Sequence, residues 1–406
     1  MSYLLPPLLG KGAFSLVLLL LLLGLTTALV LERARHRRMV QRIPIRIHVN
    51  GTRGKSSVAR LIAAGLRAGK LRTFAKTTGS AARLIHPDGS EEPVPRRSAP
   101  NIREQIGIIR QAAGENAEAL VIECMAVRPD LQKVTEHQIV RSTIGVITNV
   151  RPDHLEVMGP TLENVAIALS GTIPNNGKLF TTEGAYSDYL VREAMRRGTQ
   201  CAVTTAERHP TPEEMSGFGY VEIPENVALA LDVCEEVGVD RVTALSGMYK
   251  VTPDVGATTQ IHLRREDKEI TFVNAFAAND RESTVFLWGL LNMHRGGDRR
   301  SIVMINNRAD RMRRAVDMAQ VIAKDMAADW FVVVGDKAST FIDMAARSGL
   351  PRNRMVHMGG RTPEEVLQKL FDLADPRAAI MGIGNIGGFG VRFMDLLEQE
   401  RSRHAS

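Results

Sequence analysis

A strand that runs straight into a glycine-rich loop and on into a helix admits few folds, and residues 45–69 have that form. IRIHV (45–49) reads as a strand, NGTRGKSS follows as the loop, and SSVARLIAAGLRAG reads as a helix with Gly69 at its end. Such a unit belongs in an open α/β sheet, with the positive N-terminal end of the helix aimed at whatever the loop holds. The loop nearly satisfies the G-x-x-x-x-G-K-[ST] rule for phosphate loops. Gly54, Lys55 and Ser56 are in place, but the first glycine should stand at Val49, and Gly51 comes two residues late. The physical requirements are still met. Gly51 and Gly54 let backbone N–H groups turn inward, Lys55 supplies a cation for the β and γ phosphates, and Ser56 supplies a hydroxyl for Mg²⁺. The nucleotide-binding candidates are therefore Gly51, Thr52, Arg53, Gly54, Lys55, Ser56 and Ser57.

The same alternation continues down the chain. ALVIECM (119–125) and STIGVITNV (142–150) are apolar, β-branched runs of the kind that form strands buried on both faces. KLFTT and CAVTT are shorter strand candidates, and NVALALDVCEEVG reads as a helix. The composition shifts across 245–260, where Gly and Pro interrupt all periodicity. A second series then offers five strand candidates: ITFVNAF, SIVMINN, WFVVVGD, RMVHMGG and AAIMGIG. One helix of this series opens with a capping box, Thr362-Pro363-Glu364-Glu365. The fold class expected is α/β, with a central P-loop domain and mostly parallel sheet over 45–248, and a C-terminal Rossmann-like α/β domain over 249–406. The tail RSRHAS is expected to fray.

Ahead of the loop lies FSLVLLLLLLGLTTALVL (14–31), an uncharged apolar run long enough to span a bilayer as a helix. Residues 1–46 carry seven Lys/Arg against one acid, Glu32, and so account for six of the seven net positive charges. The soluble remainder is close to neutral, which argues against nucleic acid as a partner. Because the basic residues follow the apolar run, the chain is expected to be a single-pass protein of the cell membrane. Residues 1–12 would lie outside, 13–31 would span the lipid bilayer, 32–44 would form a basic juxtamembrane segment, and the catalytic domains would be cytoplasmic. Three cysteines (Cys124, Cys201, Cys234) without metal-type spacing fit a reducing compartment.

The shortened loop G-T-x-G-K-[ST] resembles the ATP loop of the Mur ligases and folylpolyglutamate synthases, which activate a carboxylate as an acyl phosphate. Other segments align in order. Glu123 ends the strand in IECM, where the resemblance implies a carboxylate holding Mg²⁺. TNVRPDHLEVMG (148–159) resembles the family's T-N-x-x-x-D-H-L-[DE], which implies His154 as ligand of a second Mg²⁺, with Asp153 ordering the site. NAFAANDRES (274–283) is similar to D-x-Y-A-H-N-P-x-S and places Asn279 at the nucleotide, with Asn274, Ala278 and Asp280 replacing the family's acid, histidine and proline. NNRADRMRR (306–314) stands where the family offers arginines to the phosphates, here Arg308 and Arg311. The modified lysine that many Mur ligases carry beyond D-H-L has no counterpart in VAIALSGTI, and their nucleotide-sugar domain is absent.

The membrane helix, KTTGSAARLIHPDGSEEPVPRRSAPNIREQ (76–105) and IECMAVRPDLQ together resemble one branch, the ligase subunits of poly-γ-glutamate synthases. That resemblance implies an ADP-forming amide ligase with Lys55, Glu123 and His154 as catalytic residues. Its cofactors would be ATP and Mg²⁺, its substrates glutamate and the growing polymer, and its partners other membrane subunits for export. Arg83, Arg96, Arg97 and Arg103 are candidate cations for the acidic substrate. The alternatives are a Mur- or folylpolyglutamate-type ligase on another small acid, and a membrane-tethered P-loop ATPase. MGIGNIGGFG (381–390) contains G-x-G-x-x-G, but the chain ends before a further strand could carry the usual ribose-binding acid, so it is read as a glycine turn.

Overall fold

The structure is a computed structural model that describes residues 11–78, 82–96, 100–253, 258–276, 281–291, 293, 299–309 and 312–404. Arg97, Asn279 and Arg311 lie outside the described residues. The chain divides into two compact units. One holds the residues up to Met215 together with Ile223–Thr252, and the other holds Ser216–Glu222 and everything from Pro253 onward.

The first unit is built on eight strands: β1 (Ile45–Asn50), β2 (Thr73–Thr77), β3 (Arg83–Ile85), β4 (Glu91–Pro93), β5 (Ala119–Glu123), β6 (Ile144–Ile147), β7 (Lys178–Thr181) and β8 (Gln200–Val203). Their order across the sheet is β4-β3-β2-β5-β1-β6-β7-β8. The run from β2 to β8 is parallel, and β3 and β4 fold back antiparallel at one edge. Strands β5 and β6 are buried along their whole length, as continuous apolar runs require in a sheet covered on both faces, and β2 (TFAKT) is equally buried although it carries Thr and Lys. The hairpin was missed in the sequence because its strands are only three residues each.

The second unit has β9 (Thr259–Arg265), β10 (Lys268–Asn274), β11 (Arg300–Asn307), β12 (Trp330–Gly335), β13 (Met355–His357) and β14 (Arg377–Gly384), in the order β13-β12-β11-β14-β10-β9. All neighbours are parallel except the β10–β9 pair. Strand β9 pairs at an edge and alternates between buried and exposed positions, so it lacks the continuous apolar run that marked the other five. One face is closed by a core around Trp288, Met318, Ile322 and Phe341, the other by Val366, Leu370, Phe371, Phe389 and Phe393. The capping box at Thr362 is present. The C-terminal helix Phe389–His404 extends through Arg401–His404, so RSRH is helical and not frayed.

At the N-terminal end the apolar run and the basic collar belong to one uninterrupted helix, α1 (Lys11–Gln41). Residues 32–41 of the expected basic juxtamembrane segment form the last turns of this helix. Over Ser15–Gln41 α1 is the one helix among the described residues long and apolar enough to cross a membrane, and Leu16–Leu31 are exposed. Its end is docked: Val40, followed by Ile43, packs against Phe74, Ile108, Ile109 and Ala112, and His36 Nε2 lies 2.9 Å from the Ile139 carbonyl.

Candidate active site

The loop between β1 and α2 (Lys55–Ala68) sits at the carboxyl ends of the parallel strands, the place where open α/β sheets bind ligands. Its two glycines are there for geometric reasons. Gly51 has φ +130° and Gly54 φ +79°, both in the region that favours glycine. A Cβ on Gly51 would stand 2.0 Å from Thr148 Oγ1, so the loop and the segment after β6 touch too closely for any side chain.

That segment braces the loop. Asn149 Oδ1 accepts hydrogen bonds from Thr52 Oγ1 (2.7 Å) and the Arg53 backbone N–H (3.1 Å). Thr148 Oγ1 donates to the Arg53 carbonyl at 2.6 Å, and the Arg151 N–H donates to Thr52 Oγ1 at 2.9 Å. The Thr-Asn pair of T-N-x-x-x-D-H-L thus fixes the loop backbone. Lys55 Nζ donates to the Gly51 and Thr52 carbonyls at 2.7 and 3.2 Å, held within the loop it serves.

Beneath the loop is a buried polar layer. Asn50 Nδ2 donates to Gln132 Oε1 and Thr172 Oγ1. His48 and Glu136 are fully buried, with Nδ1 and Oε2 2.8 Å apart, and Glu136 also accepts from the Ser142 backbone N–H and hydroxyl. Burial works to lower the His48 pKa, but the neighbouring Cys124 and the hydrogen-bonded Glu136 carboxylate outweigh it and raise the value to about 10.

Glu123 ends β5 and is 2% exposed. Its Oε2 accepts from Ser56 Oγ at 2.8 Å and from the Thr78 N–H at 2.6 Å. Among the described residues no Lys, Arg or His lies within ion-pair distance of it, and Oε1 receives no hydrogen bond. A buried carboxylate without an ion-pair contact, one hydrogen bond from the serine hydroxyl of a phosphate loop, is a donor set that suits a hard divalent ion with water and phosphate oxygens completing it. Ser56 and Glu123, the first two predicted metal ligands, are therefore brought together. His154 is held elsewhere: it starts a short helix at φ 44°, is half exposed, and faces Glu156 (3.2 Å) and Asp153 (4.0 Å). Among the described residues no three of His, Cys, Asp and Glu converge on one metal-binding point.

The predicted substrate cations stand on different elements. Arg83 is on β3, Arg96 forms a two-pronged ion pair with Glu104, and Arg103 is exposed before α3 (Glu104–Gly114). In the second unit Arg308 follows β11, where its Nη1 lies against Gly387. Sequence reading missed Thr78, Thr148 and the buried Lys76. Lys76 carried a usable signal: a lysine at the inward end of a strand packed on both sides.

Known proteins place these features. Residues 49–216 match the family described as Mur ligase middle domain, and residues 260–400 match poly-gamma-glutamate synthase CapB C-terminal domain. The chain is 35% identical over 399 residues to a capsule biosynthesis protein CapB of Bacillus anthracis, covering 97% of this chain and 86% of that protein. It is also 35% identical over 361 residues to a PGA synthase CapB of Bacillus subtilis, covering 88% and 91%. Among solved structures, E. coli FolC in complex with ADP superposes with a TM-score of 0.62 at 13% identity, covering 92% of this chain and 93% of that one. Acinetobacter baumannii MurF gives 0.60 at 14% identity, covering 91% and 79%. The two sheets share the Mur ligase and folylpolyglutamate synthase fold, and by its likeness over nearly its whole length the chain belongs to the CapB family of poly-γ-glutamate synthases.

Proposed function

We propose that the first unit holds the phosphates of ATP on the loop 51–57 and performs the ligase chemistry there. The protein is an ATP-dependent, ADP-forming amide ligase that makes poly-γ-glutamate. The observation that carries the assignment of residues is the 2.8 Å contact between the hydroxyl of Ser56, next to Lys55, and the buried Glu123 carboxylate.

Lys55 leaves the loop carbonyls to meet the β and γ phosphates, and the N–H groups at the start of α2 face the same charge. Ser56 and Glu123 would hold a divalent ion, which when bound neutralises charge on the transferring phosphoryl group. A glutamate carboxylate oxygen attacks the γ phosphorus as the bond to ADP breaks, giving an acyl phosphate. The amine of the second glutamate then attacks the acyl carbon, phosphate leaves, and the amine loses a proton. These steps need positioning and charge neutralisation more than covalent help from the protein, which suits a braced loop. His154 is the residue proposed to meet a second ion or the acyl group, and by family resemblance Asn279, Arg308 and Arg311 are further candidates for nucleotide binding.

The exposed apolar part of α1 supports a single-span membrane anchor with both units cytoplasmic, beside further membrane subunits that export the polymer. The test is nucleotide product analysis with membranes, Mg·ATP and L- or D-glutamate. Glutamate-dependent ADP and phosphate with γ-linked product is expected. AMP and pyrophosphate, or hydrolysis indifferent to glutamate, would overturn the mechanism.

A further inference from the structure

Lys76 is fully buried, an unfavourable state for an ammonium unless specific partners hold it there. It lies near the end of β2 on the same side as Phe74, which packs against Ile108 and Ile109 of α3. Its Nζ reaches the first residue of that helix, Glu104 Oε2, at 3.7 Å, and Met125 Sδ at 3.6 Å. The next helical residue, Gln105, is also fully buried and donates to the Glu123 carbonyl at 3.4 Å, so the start of α3 is tied to the end of β5. Two buried polar atoms here, Thr77 Oγ1 and Gln105 Oε1, have no protein partner.

Glu104 faces outward as well. It accepts Arg96 Nε and Nη2 at 2.9 and 3.2 Å and the Asn101 N–H at 3.3 Å. Asn101 Oδ1 in turn takes the Arg103 N–H at 2.9 Å. A single carboxylate therefore holds the Arg96 guanidinium and, through Asn101, the backbone that carries Arg103, and among the described residues the cation that meets that carboxylate from the inside is Lys76. From Glu123 outward the signs alternate: carboxylate, ammonium, carboxylate, guanidinium. The catalytic carboxylate and the exposed arginines are thus mechanically connected.

We propose that Lys76, acting through Glu104, is a positioning residue that sets the Arg96 guanidinium for the acidic substrate in register with the Ser56–Glu123 seat. This rests on the glutamate-ligase reading above. Lys76 touches neither nucleotide nor reacting atoms, so its removal acts on glutamate and spares ATP. The test compares KM for glutamate, KM for ATP and melting temperature in membranes carrying wild type, Lys76→Met, Glu104→Gln and Lys76→Met/Glu104→Leu. Methionine fills the space without charge, and apolar replacements of buried ion pairs are commonly tolerated.

Lys76→Met should raise the glutamate KM about tenfold, the size of one charge-assisted hydrogen bond between the substrate and a displaced Arg96, and leave the ATP KM within about twofold. The double variant should be no worse than the worse single, because both remove one link. A lowered melting temperature with an unmoved glutamate KM would overturn the proposal, as would an equal rise in both KM values. Should Lys76→Met not fold, Glu104→Gln decides by the same criteria. A wild type without glutamate dependence would fell the ligase reading itself, whereas a glutamate-dependent wild type with an unmoved KM in the variants fells this proposal alone.

Discussion

Both units carry a glycine loop between a parallel strand and a helix, yet among the described residues only the first sets a lysine in the loop and a buried carboxylate beside it. In the first unit the loop 51–57 contains Lys55 and lies against a buried carboxylate, Glu123, that has no ion-pair contact among the described residues. In the second, the loop 384–388 turns its polar groups on itself. Asn306 Nδ2 donates to the Asn385 and Gly387 carbonyls at 2.5 and 3.1 Å, and Gly387 N–H donates to Asn385 Oδ1 at 2.8 Å. The cavity beside it, lined by Asn306, Arg308, Arg314 and Asn385, holds about 30 Å³. A G-x-G-x-x-G pattern therefore says only that the backbone turns tightly; a charge to meet and a braced backbone make a phosphate site.

The sharpest way to break this contrast is Lys55→Ala, which should reduce glutamate-dependent ADP release by about 10²–10³-fold or more, since the loop has no second lysine. Retained activity would mean the phosphates sit elsewhere. The layer under the loop gives the next largest effect. His48→Ala leaves Glu136 buried without its partner and should cost about 3–5 kcal/mol of stability in chemical denaturation. Because the folded-state pKa of His48 is raised from 6.5 to about 10, its contribution is full below pH 6.5 and is lost as pH rises to about 10. Wild-type stability should fall across that alkaline window, and the slope should be shallower in the variant.

Asn149→Ala removes the acceptor of Thr52 and Arg53, so about 1–3 kcal/mol of stability should go together with a raised KM for ATP. The smallest effect belongs to the second loop. Gly388→Ala forces a side chain into φ +69° with open space around it, and should cost about 1–2 kcal/mol in melting while the ATP KM stays put. An ATP defect as large as that of Asn149→Ala would erase the distinction between the loops.

The sequence made much of this readable because the chemistry was local. Strand, loop and helix over 45–69 are contiguous, and Lys55 and Ser56 follow from the loop pattern alone. Glu123 was legible as a strand-end acid, since the run before it is uniformly apolar. What escaped reading depends on contacts far apart in the chain. The brace of Thr148 and Asn149 on Arg53 spans about a hundred residues, and Lys76 against Glu104 requires knowing that α3 starts over the end of β2. The three-residue strands β3 and β4 and the alternating edge strand β9 carry no buried run long enough to register. The continuity of α1 through its basic end was hidden because composition changes there while conformation does not.

The account turns on phosphoryl transfer to a glutamate carboxylate at the Lys55–Ser56–Glu123 seat. Glutamate labelled with ¹⁸O in its γ-carboxylate would test it directly, by mass analysis of the phosphate released during polymer synthesis. An acyl phosphate passes one carboxylate oxygen to phosphate, so each amide formed should yield one ¹⁸O-labelled phosphate. Unlabelled phosphate, or label recovered in AMP, would contradict it.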